Sequence, residues 1–423
     1  MITNEGAVDA LNSSRISLSG WKAFLAVMGP GLVVMLADTD VGSIITAAQS
    51  GVQWGYRLLL LQVLLMPVLY IVQELTVRLG IFTGKGHGEL IRKTFGNGWA
   101  WVSVSGLGVA TIGALITEFS GVAGVGELFG VPRVVSLSIV TVLLLAVVLT
   151  GSYRRVERVA IALGLFELAF FVVAWRAHPQ GAELARGLAR MPLKDSAYLY
   201  LVAANIGAVI MPWMIFYQQS AVADKKLQPC HYRHAKWDTA FGAVIAQAVM
   251  AAVLIAAAAT IGKVHAHGNL NSIGDITKML VPVLGTNVGL VVFGFGTIGA
   301  GLVAAIVVSL ASAWGFGEVT GYRHSLEHHP LEAPWFYGIY ALAVIGGAVI
   351  VDLAPDLVAL NIGVEVMNAL MLPLVLGFLV ALAFKALPPE HRLKGPYAWL
   401  VVVVAALTAG LGVYGGITGS LLL

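Results

Sequence analysis

The chain has 423 residues, of which 58% are hydrophobic and 11% charged, and its formal net charge is +3. Ordinary soluble domains carry roughly 25% charged residues, so this composition excludes a soluble globular protein and indicates a membrane protein. The small positive charge is typical of membrane topology and predicts no nucleic-acid partner. The only cysteine, Cys230, can form neither an internal disulfide nor a thiolate-rich metal cage.

Eleven segments are predicted to cross the membrane as helices, each of which needs about 20 mostly apolar residues. They occupy residues 21–50, 57–83, 98–124, 133–151, 155–176, 197–222, 236–262, 285–315, 335–353, 356–385 and 397–421. The predicted fold class is therefore an all-α polytopic membrane protein, with a single membrane domain over residues 1–423. The first 20 residues are polar, so no cleaved signal peptide is expected.

The first segment contains an interruption, where Gly-Pro-Gly at residues 29–31 is followed by Asp38 and Asp40. A spanning helix is interrupted only where it lines a protein-enclosed or water-filled cavity, because hydrocarbon cannot satisfy free backbone groups. A carboxylate in mid-membrane needs a partner, so Asp40 is a candidate cation ligand. Ser43 either coordinates the cation or caps the second half of the helix. Asp38 would not share a regular helical face with Asp40, so it either supports the site indirectly or is protonated.

Glu74, Glu118 and Glu167 are also acidic residues well inside predicted spans. None of them lies at a predicted helix break. A structural hydrogen bond is therefore the favoured interpretation for each, and a place on an ion pathway is the alternative.

The sixth segment contains a second interruption, over residues 207–213, with Pro212 near its end. Ala208 would offer a backbone carbonyl freed by the unwinding, and Met211 a thioether, although methionine is usually core filler. A half-helix that ends near residue 210 would point the negative end of its dipole inward, which favours a cation. Two such breaks, half a protein apart, indicate a secondary transporter with a site near the bilayer midplane.

The positions of the breaks divide the chain into two predicted repeats, residues 21–176 and 197–385, with residues 397–421 as an extra helix. Each repeat begins with an interrupted helix. Five helices is an odd number, so the second repeat enters the membrane from the opposite side, as in an inverted repeat. The alternative is that both helices merely bend at glycine or proline to pack better.

The tenth segment carries a polar stripe, because Asn361, Glu365 and Asn368 have the spacing i, i+4 and i+7 of one helical face. One interpretation is a hydrogen bond between helices. The other is that the stripe faces the same cavity as Asp40.

Basic residues predict the orientation, since 17 of the 25 Lys and Arg residues lie on one side when the N-terminus is cytoplasmic. The C-terminus is then extracellular.

Loop histidines form small clusters, which are more typical of solvated side chains than of a metal-capture site; they are His231, His234, His265, His267, His324, His328 and His329. No phosphate loop, HExxH motif or nucleophilic triad is found, so neither an enzyme nor a cofactor is expected.

These motifs resemble those of the NRAMP divalent-metal transporters (natural resistance-associated macrophage protein family, solute carrier family 11), over nearly the whole chain. GPGLVVMLADTDVGSIITAAQSG is similar to that family's first helix, with its Asp-Pro-Gly-Asn motif, and GAVIMPW to the sixth-helix motif Ala-x-x-Met-Pro-His. ELTVRLGIFTGKGHGELIR and TEFSGVAG resemble parts of the second and third helices. The resemblance implies a leucine-transporter-type 5+5 inverted repeat with broken helices 1 and 6, and alternating access to a central site.

The resemblance also implies a metal site. Its expected ligands are Asp40, Ser43, Ala208, Met211 and Glu365, to which the polar stripe adds Asn368. Ser43 stands where the family has asparagine, and Glu365 where many members have glutamine.

Other departures from the family concern protons. Val41 replaces the motif proline, Trp213 the histidine linked to proton movement, and Leu115 a proton-accepting aspartate. The ninth segment also lacks the arginines of the family's proton route. Transport is therefore expected not to be coupled to protons.

This set of departures resembles the NRAMP-related magnesium transporter branch of bacteria. Mg²⁺ sites use one or two carboxylates and retained waters, whereas the thioether of Met211 would favour a softer metal unless it only forms a wall of the cavity. The sequence therefore predicts a monomeric importer of Mg²⁺ and Mn²⁺ in the bacterial cytoplasmic membrane. The alternatives are a proton-coupled Mn²⁺/Fe²⁺ importer, an amino-acid or organic-solute carrier on the same scaffold, and a membrane protein that transports nothing.

Overall fold

The computed structural model describes residues 30–150, 158, 162, 168–264, 270, 272–322, 330–354 and 357–421, and within them the elements are helices. The helices are α1 (Pro30–Asp38), α2 (Val41–Trp54), α3 (Leu59–Thr83), α4 (His87–Phe95), α5 (Asn97–Leu128), α6 (Arg133–Val148), α7 (Ala169–Arg176), α8 (Gly181–Ala189), α9 (Ser196–Val209), α10 (Pro212–Asp224), α11 (Tyr232–Ala259), α12 (Ile261–Val264), α13 (Ile273–Leu284), α14 (Thr286–Thr320), α15 (Pro334–Leu353), α16 (Leu357–Lys385) and α17 (Gly395–Ser420).

Eight helical runs within the described residues are long and apolar enough to cross a membrane: Val41–Thr83, Asn97–Leu128, Ser196–Asp224, Pro229–Ala259, Thr286–Thr320, Pro334–Leu353, Leu357–Lys385 and Gly395–Ser420. The predicted segments correspond to these runs with three exceptions. The first segment is described only from residue 30 and is divided by its break. The fourth corresponds to the shorter helix α6, and of the fifth little more than α7 is described. The break in each half, predicted from the sequence, is confirmed.

The first break separates α1 from α2 at Thr39 and Asp40. The backbone of Asp40 is extended, with φ −70° and ψ 175°, and its carboxylate oxygen Oδ1 accepts a hydrogen bond from the backbone N–H of Ser43 at 2.7 Å. Asp40 is thus the N-cap of α2, because its side chain satisfies one of the N–H groups that a helix start leaves without a partner.

The second break separates α9 from α10 at Ile210 and Met211. Pro212 is the first residue of α10, a position where its missing N–H and fixed φ are favourable. A continuous helix would need an N–H at position 212 to bond the carbonyl of residue 208. Proline has none, so the carbonyl of Ala208 is released from the helix.

Close contacts with two neighbouring helices fix the position of α9, which leads into the second break. It packs against α16 and α17. A Cβ on Gly415 or Gly419 of α17 would collide with Leu199 or Tyr200 of α9, so only glycine permits this approach. Large apolar side chains such as Val142, Leu342 and Trp399 are exposed on the outside of the helices, as expected where lipid replaces water.

Candidate functional site

The two breaks meet at the centre of the protein. The hydroxyl of Ser43 in α2 donates a hydrogen bond to the carbonyl oxygen of Ala208 in α9 at 3.0 Å, although the two residues are 165 positions apart in the sequence. This bond satisfies the carbonyl oxygen of Ala208, which has no partner within its helix because Pro212 lacks an N–H. The interpretation of Ser43 as a helix cap is wrong, because Asp40 is the cap and the Ser43 side chain links the two interrupted helices.

Asp40 is completely buried at this junction. One carboxylate oxygen is engaged by Ser43, as described above. The other, Oδ2, accepts no hydrogen bond from an N–H or hydroxyl group in the described part of the chain, and the carboxyl group of Glu118 is its close neighbour. It is therefore available to an ion at the break.

Glu118 on α5 also lies at the first break, which the sequence did not predict. Its carboxylate oxygen Oε2 accepts a hydrogen bond from the backbone N–H of Val41 at 3.3 Å, and the hydroxyl of Thr117 bonds the other oxygen at 3.2 Å. The expected structural hydrogen bond is present, but the premise that Glu118 lies away from a break is wrong. A signal was available, because valine at position 41 has an N–H that proline would lack, and a buried N–H needs an acceptor.

The three residues of the polar stripe on α16 make different contacts. Asn361 donates a hydrogen bond to the hydroxyl of Ser120 at 2.8 Å, which is a contact between helices. Asn368 donates to Oε2 of Glu365 at 3.1 Å, whereas Oε1 of Glu365 and Oδ1 of Asn368 have no partner in the described residues.

Glu365 contacts both breaks. A Cβ on Gly42 in α2 would collide with its carboxylate, and a Cβ on Gly207 in α9 would collide with its backbone carbonyl. Glycine at both positions therefore lets α16 approach the two interrupted helices at once.

Met211 is fully buried at the second break. Its sulfur accepts a hydrogen bond from the indole N–H of Trp213 at 3.1 Å. One direction of approach to the thioether is thus occupied by the side chain that replaces the family's histidine.

Asp38 is the last residue of α1 and is also buried. It lies within electrostatic range of Asp40 and Glu365. We refer to Asp38, Asp40, Glu118 and Glu365 as the break acids; none of them is more than 1% exposed, so water does not reach them in this conformation.

Among the described residues, no ion pair balances the charge of the break acids. Within the described residues, ion pairs form at Glu74, Glu89 and Glu127, and none involves a break acid. No group of three or more acidic, His or Cys side chains in the described part of the chain is already arranged to hold a metal ion. In this conformation a bound cation would therefore take no more than two carboxylates together with carbonyl, amide or sulfur ligands, and a third carboxylate could join it only after the helices move.

The remaining predicted polar residues lie elsewhere. Glu74 pairs with Arg78 at 2.8 Å and accepts a hydrogen bond from the hydroxyl of Tyr397 at 3.0 Å, which is the structural role expected for it. Cys230 is exposed, and Nδ1 of His231 accepts a bond from a nearby backbone N–H. Glu167, His265, His267, His324, His328 and His329 lie outside the described residues.

A second polar network joins helices near the predicted cytoplasmic side. The carboxylate of Glu318 on α14 accepts hydrogen bonds from the N–H of Gly88 at 2.7 Å and from the hydroxyl of Ser220 at 2.5 Å. His87 bonds Gln219 through Nδ1 at 2.8 Å, and burial lowers the pKa of His87 to about 4, so its ring is neutral at physiological pH. At α1, the carboxylate of Asp238 accepts from the N–H of Gly31 at 2.9 Å. These contacts join α1, α4, α10, α11 and α14.

Comparison with known proteins places the chain among metal-ion transporters. The sequence model of the Nramp family, described as natural resistance-associated macrophage protein-like, matches residues 31–418. The divalent metal cation transporter MntH of Yersinia pestis (strain Pestoides F) is 33% identical over 313 residues, which are 71% of this chain and 74% of the relative. MntH of Klebsiella pneumoniae (strain 342) is 28% identical over 437 residues, covering 97% of this chain and all of the relative.

Solved structures agree on the fold. The manganese transporter of Eremococcus coleocola, in complex with an aromatic bis-isothiourea substituted compound, has a TM-score of 0.76 at 20% identity and covers 96% of this chain and 91% of its own. The nucleobase-cation-symport-1 family transporter Mhp1 has a TM-score of 0.61 at 13% identity, with 93% and 91% covered. The architecture is therefore the leucine-transporter-type inverted repeat with broken helices 1 and 6.

Proposed function

The chain belongs to the Nramp family, and from that premise we propose that it imports divalent metal ions, Mn²⁺ and Mg²⁺, by alternating access and without coupling to protons. The relatives with the highest identity given above are named divalent metal cation transporters. It is a multi-pass membrane transporter, not an enzyme. We place it as a monomer in the bacterial cytoplasmic membrane.

One observation supports this function most. Among the described residues, the buried carboxylate oxygens without a hydrogen-bond partner all lie where the two breaks meet, on Asp38, Asp40 and Glu365, and Asn368 adds an amide oxygen there. Burying a carboxylate without a partner is costly, and a transported cation supplies that partner. The proposed ligands are Asp40, Ser43, Ala208, Met211, Glu365 and Asn368.

The chemistry of these ligands supports the choice of ions. Carboxylate, amide and carbonyl oxygens suit the hard cations Mg²⁺ and Mn²⁺. The thioether of Met211 favours Mn²⁺ over Mg²⁺, and its bond from Trp213 leaves it less available as a ligand. Both ions are thus expected as substrates.

The surroundings of the site support transport that is not coupled to proton movement. The side chain of Trp213 donates to sulfur and has no group that titrates near neutral pH. Leu115 is buried one helical turn before Glu118 and cannot accept a proton. Alternating access is supported by the polar network near the predicted cytoplasmic side, because its hydrogen bonds can be exchanged for bonds to water if these helices separate.

The experiment is uptake of Mg²⁺, Mn²⁺ and Ca²⁺ into proteoliposomes that contain a pH-sensitive dye. We expect the wild type to take up Mg²⁺ and Mn²⁺ without acidifying the interior, Asp40→Ala to abolish uptake, and Glu365→Ala to weaken it. Glu127→Ala is the matched control, since this acid is exposed and pairs with Arg133 away from the breaks, and it should transport normally.

Two results would decide against parts of the proposal. Unchanged uptake in both Asp40→Ala and Glu365→Ala would reject the site. Mn²⁺ uptake accompanied by acidification would reject uncoupled transport and favour the proton-coupled Mn²⁺/Fe²⁺ importer.

A further inference from the structure

Asp38 is the most poorly satisfied acidic residue in the described structure. It is 1% exposed, and neither oxygen of its carboxylate has a hydrogen-bond partner among the described residues. Asp40, Glu118 and Glu365 each have at least one oxygen engaged. A buried carboxylate with both oxygens free is too costly to persist unless something else satisfies it.

The position of Asp38 is unfavourable for a structural carboxylate. It ends α1, and the C-terminal end of a helix carries a partial negative charge that repels an anion and attracts a cation. It caps no helix N-terminus, since α2 is capped by Asp40. Its electrostatic neighbours are the carboxylates of Asp40 and Glu365, which repel it as well.

The break itself places Asp38 beside Asp40. In a continuous helix, residues two apart point to different sides. The helix ends at Asp38, however, and the backbone of Asp40 is extended. The separation imposed by a regular helix therefore does not apply across the break, and the carboxylate of Asp40 lies within electrostatic range of Asp38.

We propose that Asp38 is a second carboxylate ligand of the transported divalent ion, acting together with the free Oδ2 of Asp40. This inference rests on the proposed function. It extends the ligand set expected from the family resemblance, in which Asp40 is the only carboxylate of the first break. A pair of carboxylates and a few neutral oxygens is the kind of set that holds a hard divalent cation.

The test compares Asp38→Asn, which keeps the shape and removes the charge, with the wild type. We expect the KM for Mn²⁺ uptake in proteoliposomes to rise at least tenfold. The melting temperature of the metal-free protein in detergent should stay the same or rise, because an unpaired buried charge is removed. The rise in melting temperature on adding Mn²⁺ should shrink correspondingly.

Glu74→Gln is the comparison for a purely structural acid. Glu74 is buried but paired with Arg78 and Tyr397, so this variant should lower the melting temperature of the metal-free protein and leave the KM for Mn²⁺ unchanged. The opposite patterns for Asp38 and Glu74 separate ligation from structural support. If Asp38→Asn cannot be purified, Asp38→Glu keeps the charge and moves the carboxylate, and it should raise the KM several-fold.

The outcomes distinguish this inference from the proposed function. Absence of Mn²⁺ and Mg²⁺ uptake by the wild type would overturn the function and the inference with it. The role of Asp38 alone would be overturned by a different result. In that case the wild type takes up the ions normally and Asp40→Ala takes up none, but Asp38→Asn has an unchanged KM and is stabilised by Mn²⁺ as much as the wild type. A lower melting temperature with unchanged KM would assign Asp38 a structural role instead.

Discussion

Val41 is the residue that best explains why an acid from another helix is needed at the first break. Both α2 and α10 restart after an interruption, but α10 restarts on Pro212, which has no N–H. Helix α2 restarts on valine, and its buried N–H bonds Glu118. The carboxylate of Glu118 on α5 thus accepts the hydrogen bond from this N–H. No such acceptor is needed at the other break, because proline has no N–H.

A double-mutant cycle tests this explanation. Glu118→Ala should destabilise the wild-type background by about 1–3 kcal/mol, the usual cost of a buried donor without a partner. In a Val41→Pro background the same substitution should cost much less. Asp40 has the extended backbone that a residue before proline prefers, so Val41→Pro is compatible with the structure. The measurement is the melting temperature of the four proteins in one detergent.

Equal effects of Glu118→Ala in the two backgrounds would contradict the explanation. Glu118→Gln is a useful control, because its amide oxygen still accepts the Val41 bond while the charge is lost. It should therefore be more stable than Glu118→Ala.

At the scale of single residues, the sequence predicted what depends on local chemistry. The free carbonyl of Ala208 follows from Pro212, and the importance of Asp40 from an acid at a break. The positions of Glu118 and Asp38 depend on how α5 meets α2 and on where α1 ends. Neither is encoded in the spacing of a single helix: the premise that Glu118 lies away from a break was wrong, and the two interpretations of Asp38 stay predictions.

Among the helix contacts, the crossing of α9 and α16 at Gly207 is the closest one at the site. A Cβ on Gly207 would collide with the backbone of α16 at Glu365 and Ala369, which cannot move aside as a flexible side chain could. Gly207→Ala should therefore push α16 away from the second break. We expect strongly reduced Mn²⁺ uptake and a melting temperature lower by several degrees, consistent with overpacking costs of about 1–3 kcal/mol.

Gly363→Ala provides the matched control. This glycine lies on α16, and a Cβ there would have nothing within 4 Å. It should leave uptake and melting temperature nearly unchanged. Similar losses in both variants would show that helix flexibility, and not the close crossing, is what glycine provides.

Helix boundaries were predicted less well than the breaks. The first segment was predicted to end at residue 50 and the second to begin at residue 57, whereas α2 continues to Trp54 and a 3₁₀ turn at Gly55–Leu58 leads directly into α3. Hydrophobicity alone does not show where a helix ends in such a turn. The breaks were recognised because glycine, proline and acidic residues interrupt the hydrophobic pattern at those points.

For the molecule as a whole, Cys230 allows the predicted orientation to be tested without engineering. It is the only cysteine of the chain and is exposed between α10 and α11. With a cytoplasmic N-terminus it should lie on the cytoplasmic side. A membrane-impermeant maleimide should therefore label it in inverted membrane vesicles and leave it unlabelled in intact cells.

Cys230→Ser is the control for unspecific labelling. Labelling of the wild type from outside intact cells would reverse the predicted topology. The fold would stand in that case, because the inverted repeat does not depend on which end faces the cytoplasm.

The overall fold followed from the sequence because it depends on features that recur along the chain. Apolar runs gave the helices, and two breaks in corresponding positions gave the inverted repeat that the solved structures share. How the repeats fit around the ion could not be predicted, because it depends on contacts such as Ser43 with Ala208, which joins residues far apart in sequence.

Helix α17 supports the second repeat from outside. Through Gly415 and Gly419 it braces α9 along its side, and it lies outside both repeats. The corresponding half-helix of the first repeat, α1, is braced by α11, where Gly31 bonds Asp238 and a Cβ on Gly242 would collide with Met35. Each half-helix before a break therefore leans on a neighbour, but α1 leans on a helix of the opposite repeat and α9 on one that belongs to neither, so the two equivalent parts of this architecture are not supported in the same way.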